Sequence, residues 1–340
     1  MQNRRQRVQI GQAFSEWFNV QSGIPQGSVL GPLLFIIYIN DLADEIDEYS
    51  DIYIYADDNK IFSHVKETDD CRKLQANLNN LYEWTKRWLL KLNIEKCYIM
   101  SAGRSCDISF DYVIDDKKIK RTDNMKDLGV TFDTKLKFDK HMDDKINIAY
   151  VMLATIKRNF KYISPSAFVI LYKSMVRSQL EYAQSVWSPY RKEYIEKLEK
   201  VQIRATKIVK GIQHLSYADR LRFLKLPTLK FRRIRGDMIE LYKHLKGLYD
   251  RSSCMEFRLK GEVSVRSNSM ALVKNRFKYD LRKYCFSNRV CNVWNSLPDF
   301  VVSAPTFDTF KGRLDAHWSR QDVKYNWCAE LMGTGDRSHM

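Results

Sequence analysis

The chain has 340 residues, 44% hydrophobic and 29% charged, which allows a sizeable core and suggests two or three domains. A surplus of Lys and Arg (57) over Asp and Glu (41) gives a net charge of +16 and a pI near 9.4. This charge favours a polyanionic partner, nucleic acid first and an anionic membrane surface second, over a soluble protein whose surface is merely basic. The longest apolar run, Val29 to Ile39, is interrupted by Gly31-Pro32 and is too short to span a bilayer, which argues against a membrane role.

The charge is unevenly distributed along the chain. Residues 1–60 contain four Lys or Arg and nine Asp or Glu, so the remaining 280 residues carry a net charge of +21. A metal site beside a strand-binding surface would show this pattern, and so would a solvated acidic loop at Asp41–Asp51.

The seven cysteines form no CxxC pair and no Cys/His cluster with zinc spacing (71, 97, 106, 254, 285, 291 and 328). The N-terminus is polar and arginine-rich, unlike a secretory signal. This combination predicts reduced intracellular thiols.

In chain order, loose alternation over residues 5–21 predicts two short strands that turn at Gly11-Gln12. A loop, Ser22–Gly27, precedes a helix opened by Gly31-Pro32. That helix has almost no polar face, so we expect it to be buried. Alternation around residues 52–62 then predicts a β-hairpin with its acidic residues at the tip, joined at Ala56–Asn59.

The next segment mixes a helix with strands. Apolar residues recur at helical spacing from Leu74 to Leu92, and strand-like runs follow at Cys97–Met100, Ile108–Ile114 and Leu128–Phe132. Helices and strands in this order on a largely antiparallel sheet predict an α+β fold.

From Asp139 onward the pattern is mostly helical. Ser164-Pro165 is typical of a helix start, and Leu226-Pro227 marks a break. A stripe from Tyr194 to Ile212 has basic residues on its other faces, which suits either an ordinary core helix or a strand-binding helix. Residues 252–278 look like a loop over a basic surface, and a packed corner at Val293–Pro298 precedes a last helix at Thr306–Trp318.

Tyr55-Ala56-Asp57-Asp58 carries the most specific chemistry. Nucleotidyl transfer needs two divalent metals about 3.5–4 Å apart. Mg²⁺ prefers hard oxygen ligands, and consecutive turn residues can converge on such an ion. Adjacent aspartates are also common at exposed turns, so the pair does not identify a metal site without further support.

The upstream loop, Ser22–Gly27, gives that support. Pro25 restricts its own backbone, and Gly23 and Gly27 permit close approach to a nucleic-acid strand. Gln26 offers donors and acceptors to a base or a ribose. A plain connecting loop into the following helix is the alternative.

Ser22 to Phe35, followed by Tyr38-Ile39-Asn40-Asp41-Leu42, resembles the central palm motif of non-LTR (LINE-type, jockey-like) retrotransposon reverse transcriptases. Tyr55-Ala56-Asp57-Asp58 resembles their catalytic box, Leu92–Cys97 the next palm motif and Asp127-Leu128-Gly129-Val130 the primer-grip segment. Weaker likenesses to the thumb and to the C-terminal segment follow at Tyr182–Gly211, Arg282–Pro298 and Phe310–Trp318.

The resemblance implies a role for each matched residue. Asp57 and Asp58 would be catalytic metal ligands for Mg²⁺ or Mn²⁺, and Lys96 would neutralise triphosphate charge or protonate pyrophosphate. The nucleic acid or nucleotide would contact Gly23, Pro25, Gln26, Gly27, Tyr55, Leu128 and Gly129. The partners implied are an RNA template, a DNA primer or target and deoxynucleoside triphosphates, with no membrane.

The implied domains are a partial palm (1–138), a helical thumb (139–225), a basic, mostly helical C-terminal region (226–320) and a disordered tail (321–340). The family's palm has a further metal-binding aspartate on a strand upstream of Arg4-Arg5-Gln6-Arg7, and its fingers and endonuclease also lie upstream. We therefore expect a 5′-truncated or partly annotated copy that is nearly inactive by itself. Asp41, Asp44 and Asp51 lie outside the strand motif that carries that upstream aspartate, and they are weak replacements for it.

Two other interpretations stay open. The product could be a non-catalytic RNA- or DNA-binding protein that retains the basic thumb and C-terminal region. It could also be an unstable by-product with no role. The resemblance implies action at nuclear DNA and assembly on RNA in the cytoplasm.

Overall fold

A computed structural model describes residues 4–20, 23, 27–103, 109–250, 254–261 and 268–334. The chain divides into two compact units, Met1–Asp123 and Asn124–Met340. The charge divides at the same place, because the second unit has 41 Lys or Arg and only 22 Asp or Glu. The mixture of helices and strands confirms the α+β class.

The first unit opens with a nested ribbon. Strand β1 (Arg4–Gln6) pairs with β4 (Phe18–Val20), and β2 (Gln9–Ile10) pairs with β3 (Ala13–Phe14), both antiparallel. Gly11 makes the inner turn at a φ of +61°, a conformation that glycine adopts without strain. The two predicted strands and their turn are thus present, each strand split into two short pieces.

Helix α1 (Leu30–Ile39) and a 3₁₀ turn (Asn40–Glu45) follow, and then the hairpin of β5 (Ser50–Tyr55) and β6 (Asp58–Ser63). Helix α2 (Thr68–Arg87) ends five residues before the predicted Leu92. A short 3₁₀ helix (Ile94–Lys96) leads to β7 (Tyr98–Ile99), β8 (Val113–Ile114), β9 (Lys117–Lys118) and β10 (Lys120–Arg121).

Helix α2 is the centre of the first unit. Its Leu81 and Trp84 pack with Ile39 and Leu42 and with the inward side chains of the β5–β6 hairpin, Ile52, Ile54 and Ile61. Earlier on the same helix, Cys71 packs against a second small core around Tyr112, Ile114 and Ile119. The alternation of half-buried and exposed residues in β5 therefore reflects a hairpin with one face on α2.

The predicted burial of α1 is wrong. Only Gly31 and Ile39 of this helix are buried, whereas Leu33, Ile36 and Ile37 are more than half exposed. The helix contacts the unit's core through Phe35 and Ile39 at its C-terminal end. Apolar composition indicates burial only where another element covers the helix, and the described part of this unit supplies no such cover over its N-terminal half.

The strands of the described ranges form six separate two-stranded pairs, where we had expected one sheet. Five pairs are antiparallel and β7–β10 is parallel. The expectation of largely antiparallel pairing is met, and the helices supply most of the packing between the pairs.

The second unit begins with the hairpin of β11 (Asn124–Asp127) and β12 (Val130–Asp133), followed by α3 (Asp139–Asn159) and α4 (Pro165–Leu171). Ser164 caps α4 as predicted, since its hydroxyl accepts from the Ala167 amide. A π-helical turn (Tyr172–Arg177) leads to α5 (Ser178–Glu181) and α6 (Gln184–Trp187), and then to α7 (Lys192–Thr206) and α8 (Tyr217–Leu224).

Helix α9 (Leu229–Leu245) connects the two cores of this unit. Its Leu229 completes a core built on α3, α4 and α7, while Phe231, Met238 and Leu241 belong to a second core. That second core is completed by α10 (Asp280–Tyr284), α11 (Phe286–Asn295), α12 (Asp299–Val302) and α13 (Phe307–His317). The predicted break at Leu226-Pro227 and the packed corner around Trp294 are both present.

The expected disorder of the tail is wrong for residues 321–334. A 3₁₀ turn (Asp322–Lys324) places Val323 in the second core, and Leu331 is also buried there. The hydroxyl of Thr228 donates to the Val323 carbonyl oxygen at 2.6 Å, and the ammonium of Lys230 binds the Ala329 carbonyl. Two apolar side chains and these hydrogen bonds hold a segment whose polar composition suggested a loose end; residues 335–340 lie outside the described ranges.

Candidate nucleic-acid and metal site

The β5–β6 hairpin brings Tyr55, Asp57 and Asp58 together. Tyr55 pairs with Asp58 in the last rung, so Ala56 and Asp57 alone form the turn. Asp57 therefore lies at the tip, and Asp58 begins β6 rather than lying within a four-residue loop as expected. Ala56 has a φ of +53° and Asp57 does not have a positive φ, which is the sign pattern of a type II′ turn.

Both carboxylates are exposed, and in the described ranges neither forms an ion pair. Carboxylate oxygens at a turn are suitable ligands for a hard divalent cation. Within those same ranges no group of three or more His, Cys, Asp or Glu residues is placed to hold a metal. The hairpin thus offers two carboxylates, a donor set that suits Mg²⁺ or Mn²⁺ when substrate phosphates supply further ligands.

Asn77 of α2 fixes the base of this hairpin. Its amide nitrogen donates to the Asp47 carboxylate at 2.7 Å and to the Ser50 hydroxyl at 2.9 Å, and its carbonyl oxygen accepts from the Asp47 amide. Asn77 is fully buried, so these bonds replace its contacts with water. The buried amide anchors the first residue of β5 to the helix beneath it.

The outer face of the hairpin is aromatic. Tyr53 and Phe62 meet edge to face at 5.5 Å between ring centroids, and both are more than half exposed, as is Tyr55. Asp58 lies on this same face, because residues opposite each other in a strand pair point to the same side. The tip therefore combines negative charge with exposed rings.

The glycine-flanked loop is described in part. Gly23 and Gly27 have φ values of +85° and +76°, in the region that favours glycine. Pro25 and Gln26 lie outside the described residues.

Lys96 ends the 3₁₀ helix Ile94–Lys96 and is exposed. No ion pair joins it to Asp57 or Asp58 in the part of the chain that the structure describes. Its proposed role toward a triphosphate therefore remains a prediction.

Leu128 and Gly129 form the turn of the β11–β12 hairpin, with φ values of +43° and +82°. Two positive φ values are typical of a type I′ turn. The hydroxyl of Tyr182 donates to the Leu128 carbonyl oxygen at 2.8 Å, and its ring lies against Gly129. Tyr182 thus supports this turn.

One end of the second unit is uniformly basic. Six exposed cations lie there, and we call them together the basic end: Lys157, Arg158, Lys161, Arg204, Lys207 and Lys210. Residues 145–180 and 200–218 contain no Asp or Glu, and within the described ranges none of the six forms an ion pair.

Two cation–π contacts connect the two segments of the basic end. The Arg204 guanidinium lies 5.0 Å from the Tyr150 ring centroid, and the Lys210 ammonium lies 4.0 Å from that of Tyr162. Tyr162 is itself 73% exposed. A cationic surface with an exposed ring is suited to a phosphate backbone with unpaired bases.

With this geometry established, we compared the chain with known proteins. Residues 5–132 match the family model of reverse transcriptase (RNA-dependent DNA polymerase). This segment is a reverse-transcriptase domain of the non-LTR retrotransposon type. The family generally uses divalent metal ions and acts on a nucleic-acid template with nucleotide substrates.

Two Drosophila melanogaster proteins show the relationship beyond the domain. The chain is 26% identical over 276 residues to the RNA-directed DNA polymerase from mobile element jockey, covering 76% of this chain and 29% of that protein. It is also 26% identical over 267 residues to a probable RNA-directed DNA polymerase from transposon X-element, covering 74% and 28%. The chain thus spans less than a third of these relatives, and no solved structure matches it.

In the described ranges no helix is long and apolar enough to cross a membrane.

Three structurally important residues gave no signal in the sequence. Asn77 is 30 residues from Asp47, Tyr182 is 54 from Leu128, and Arg289 is 52 from Asp237, its buried partner.

Proposed function

We propose that this chain supplies the metal-binding hairpin and part of the nucleic-acid grip of an RNA-directed DNA polymerase of a non-LTR retrotransposon. The observation that carries the proposal is the β5–β6 turn, which presents Asp57 and Asp58 together at an exposed tip inside the reverse-transcriptase domain. The palm, thumb, C-terminal and tail boundaries given above remain predictions, apart from the packed residues 321–334.

The Asp57 and Asp58 carboxylates would hold the metal, Mg²⁺ or Mn²⁺. Metal ions held there would supply activation of the primer 3′ hydroxyl and stabilisation of the leaving pyrophosphate. The chain's own residues position the substrates: Tyr55 presents a ring beside the tip, Gly23 and Gly27 allow close approach of a strand, and Lys96 supplies a positive charge for the triphosphate. Pro25, Gln26, Leu128 and Gly129 are proposed contacts of template, primer or nucleotide.

We propose further that the isolated chain is a poor catalyst. The tip of the hairpin has two carboxylates, and within the described residues no third metal-binding group lies beside them. A second metal shared by so few ligands binds weakly, and loss of well-placed charge stabilisation lowers rates by orders of magnitude. The partners proposed are RNA template, DNA primer or target and deoxynucleoside triphosphates, with action at nuclear DNA and assembly on RNA in the cytoplasm.

The basic end favours a second candidate function, non-catalytic binding of RNA or DNA. The six cations form no ion pair among the described residues and have no acidic residue in their own sequence segments, so they would bind phosphates whether or not the hairpin holds metal. In this case affinity would fall steeply with salt and would not depend on Asp57.

Primer extension on an RNA template, with Mg²⁺ or Mn²⁺, tests the proposal. We compare the chain with Asp57→Ala/Asp58→Ala and measure RNA affinity in the same samples. We expect the parent chain and the double variant to bind RNA equally, and we expect the parent chain to extend the primer no faster than the double variant. Asp57-dependent extension would show that the metal site is complete in this chain, and absence of RNA binding at low salt would contradict both candidate functions.

A further inference from the structure

A cavity of about 410 Å³ lies within the second unit, and none of the six basic-end residues lines it. Its size falls in the range of pockets that hold small molecules. One wall comes from residues 185–194, a second from α10 and the start of α11, and the floor from the β12–α3 connection.

The walls are rich in flat rings. Tyr190 of the first wall and Tyr284 of the second stack face to face, with ring centroids 4.3 Å apart and planes 6° from parallel. Phe132 and Phe138 meet edge to face on the floor at 5.4 Å. These aromatic rings provide surfaces on which a planar ligand can stack.

A buried ion pair ties the two walls together. The guanidinium of Arg289 binds both carboxylate oxygens of Asp237 at 2.8 Å, and also donates to the Ser185 carbonyl at 2.7 Å and the Tyr284 carbonyl at 3.2 Å. Asp237 is 8% exposed. The Arg289 side chain, itself bound by Asp237, thus fixes one residue in each wall, so the cavity is preformed.

Two lysines, Lys137 and Lys283, lie beside the cavity. Lys137 lines it and, within the described ranges, has no ion pair. Lys283 lies over the Tyr284 ring at 5.1 Å, whereas Arg191, which lines the cavity above the Tyr194 ring, is already paired with Asp139. The lining carboxylate, Glu240, is already bonded by Lys243 and Tyr249.

We propose that this cavity takes one unpaired nucleobase of a single-stranded RNA or DNA, while Lys137 and Lys283 bind the flanking phosphates. The aromatic walls favour a planar ring, and the basic rim favours the phosphates on either side of it. The inference rests on the proposed nucleic-acid function but uses a surface distinct from both the hairpin and the basic end.

The test measures affinity for a single-stranded RNA and for a duplex with the same number of phosphates, by fluorescence anisotropy on the whole chain. Tyr284→Leu keeps apolar bulk and removes the ring, so single-strand affinity should fall about 5- to 100-fold with duplex affinity unchanged. The matched control, Phe223→Leu, removes an exposed ring from α8 elsewhere in the unit and should leave both affinities unchanged.

A second variant and a crosslinking experiment distinguish a lost nucleobase contact from misfolding of the Tyr284→Leu variant. Lys137→Gln changes an exposed side chain and should weaken single-strand binding more than duplex binding. A strand containing 4-thiouridine should crosslink to Tyr190 or Tyr284. Unchanged discrimination in both variants, or crosslinks only elsewhere, would overturn the proposal while leaving general RNA binding intact. Loss of all RNA binding would contradict the proposed function itself.

Discussion

Tyr55 and Asp58 lie opposite each other in the last pair of the β5–β6 hairpin. This pairing leaves two residues for the turn, so Ala56 takes a φ of +53° and Asp57 lies at the tip. A non-glycine residue in this region carries strain of roughly 1–3 kcal/mol, and such strain concentrates at functional sites. The tip is thus a tight turn that presents two exposed carboxylates.

The basic end predicts a specific salt response. Arg204→Gln/Lys207→Gln/Lys210→Gln should reduce the slope of log affinity against log salt by about 2 for single-stranded RNA, because each lost phosphate contact removes about 0.7. The matched control, Lys197→Gln/Lys200→Gln/Arg222→Gln, changes the net charge equally but removes cations already paired with Glu193, Glu196 and Asp219. Equal slopes in the two triple variants would contradict binding at the basic end.

The Leu128-Gly129 turn predicts a stability effect. Gly129→Ala places a methyl group at a positive φ and 3.2 Å from the Tyr182 ring, so we expect a loss of about 1–3 kcal/mol in unfolding free energy. Gly247→Ala is the control, since its φ is +64° but nothing lies within 4 Å of the added carbon. Urea unfolding measures both, and an equal loss in the two variants would show that Tyr182 does not constrain the turn.

His141 predicts a pH dependence of stability. Burial, with a smaller contribution from Lys145, lowers the pKa of His141 to about 4, and its Nδ1 accepts from the Thr131 amide at 3.1 Å. The unfolded chain, with a histidine pKa near 6.5, binds the proton more readily, so stability is lost as pH falls from about 6.5 to 4. The loss can reach about 3 kcal/mol.

His141→Asn keeps an acceptor for the Thr131 amide but cannot titrate in this window. Unfolding free energies at pH 7.5, 6 and 5 should therefore fall less steeply in the variant than in the parent chain. Parallel pH profiles would show that carboxylates alone account for acid destabilisation.

The Asp237–Arg289 pair predicts a large energetic effect of a single substitution. Burial raises the pKa of Asp237, and the hydrogen bonds from Arg289 oppose that shift. Arg289→Met leaves a buried carboxylate without its partner and should cost about 3–5 kcal/mol. Asp237→Asn/Arg289→Met removes the uncompensated charge and should recover part of the loss; a single variant within about 1 kcal/mol of the parent would contradict this account.

Local patterns predicted much of the fold. The hairpin tip and the starts of α3 and α4 follow from alternation, helical period and capping residues within a few positions. Asp57 and Asp58 could be proposed as metal ligands from the sequence because the acidic turn lies in four consecutive residues. The glycines of the upstream loop were identifiable for the same reason.

The errors came from long-range packing. The apolar sequence of α1 did not show that Leu33, Ile36 and Ile37 lack a covering element in the described part of the first unit. The polar sequence after Arg320 did not indicate that Val323 and Leu331 are buried in a core built largely from helices distant in sequence. Contacts of this kind depend on the assembled unit and leave no periodic signal.

Metal-directed cleavage tests most directly whether the hairpin tip holds the metal. Fe²⁺ replaces Mg²⁺ on the chain bound to primer, RNA template and nucleotide, and hydroxyl radicals cut the backbone next to the ion. We predict cuts around residues 55–59 that disappear in Asp57→Asn/Asp58→Asn, while RNA binding is retained. Cuts that persist in the double variant, or that occur only elsewhere in the chain, would contradict the assignment of Asp57 and Asp58 as metal ligands.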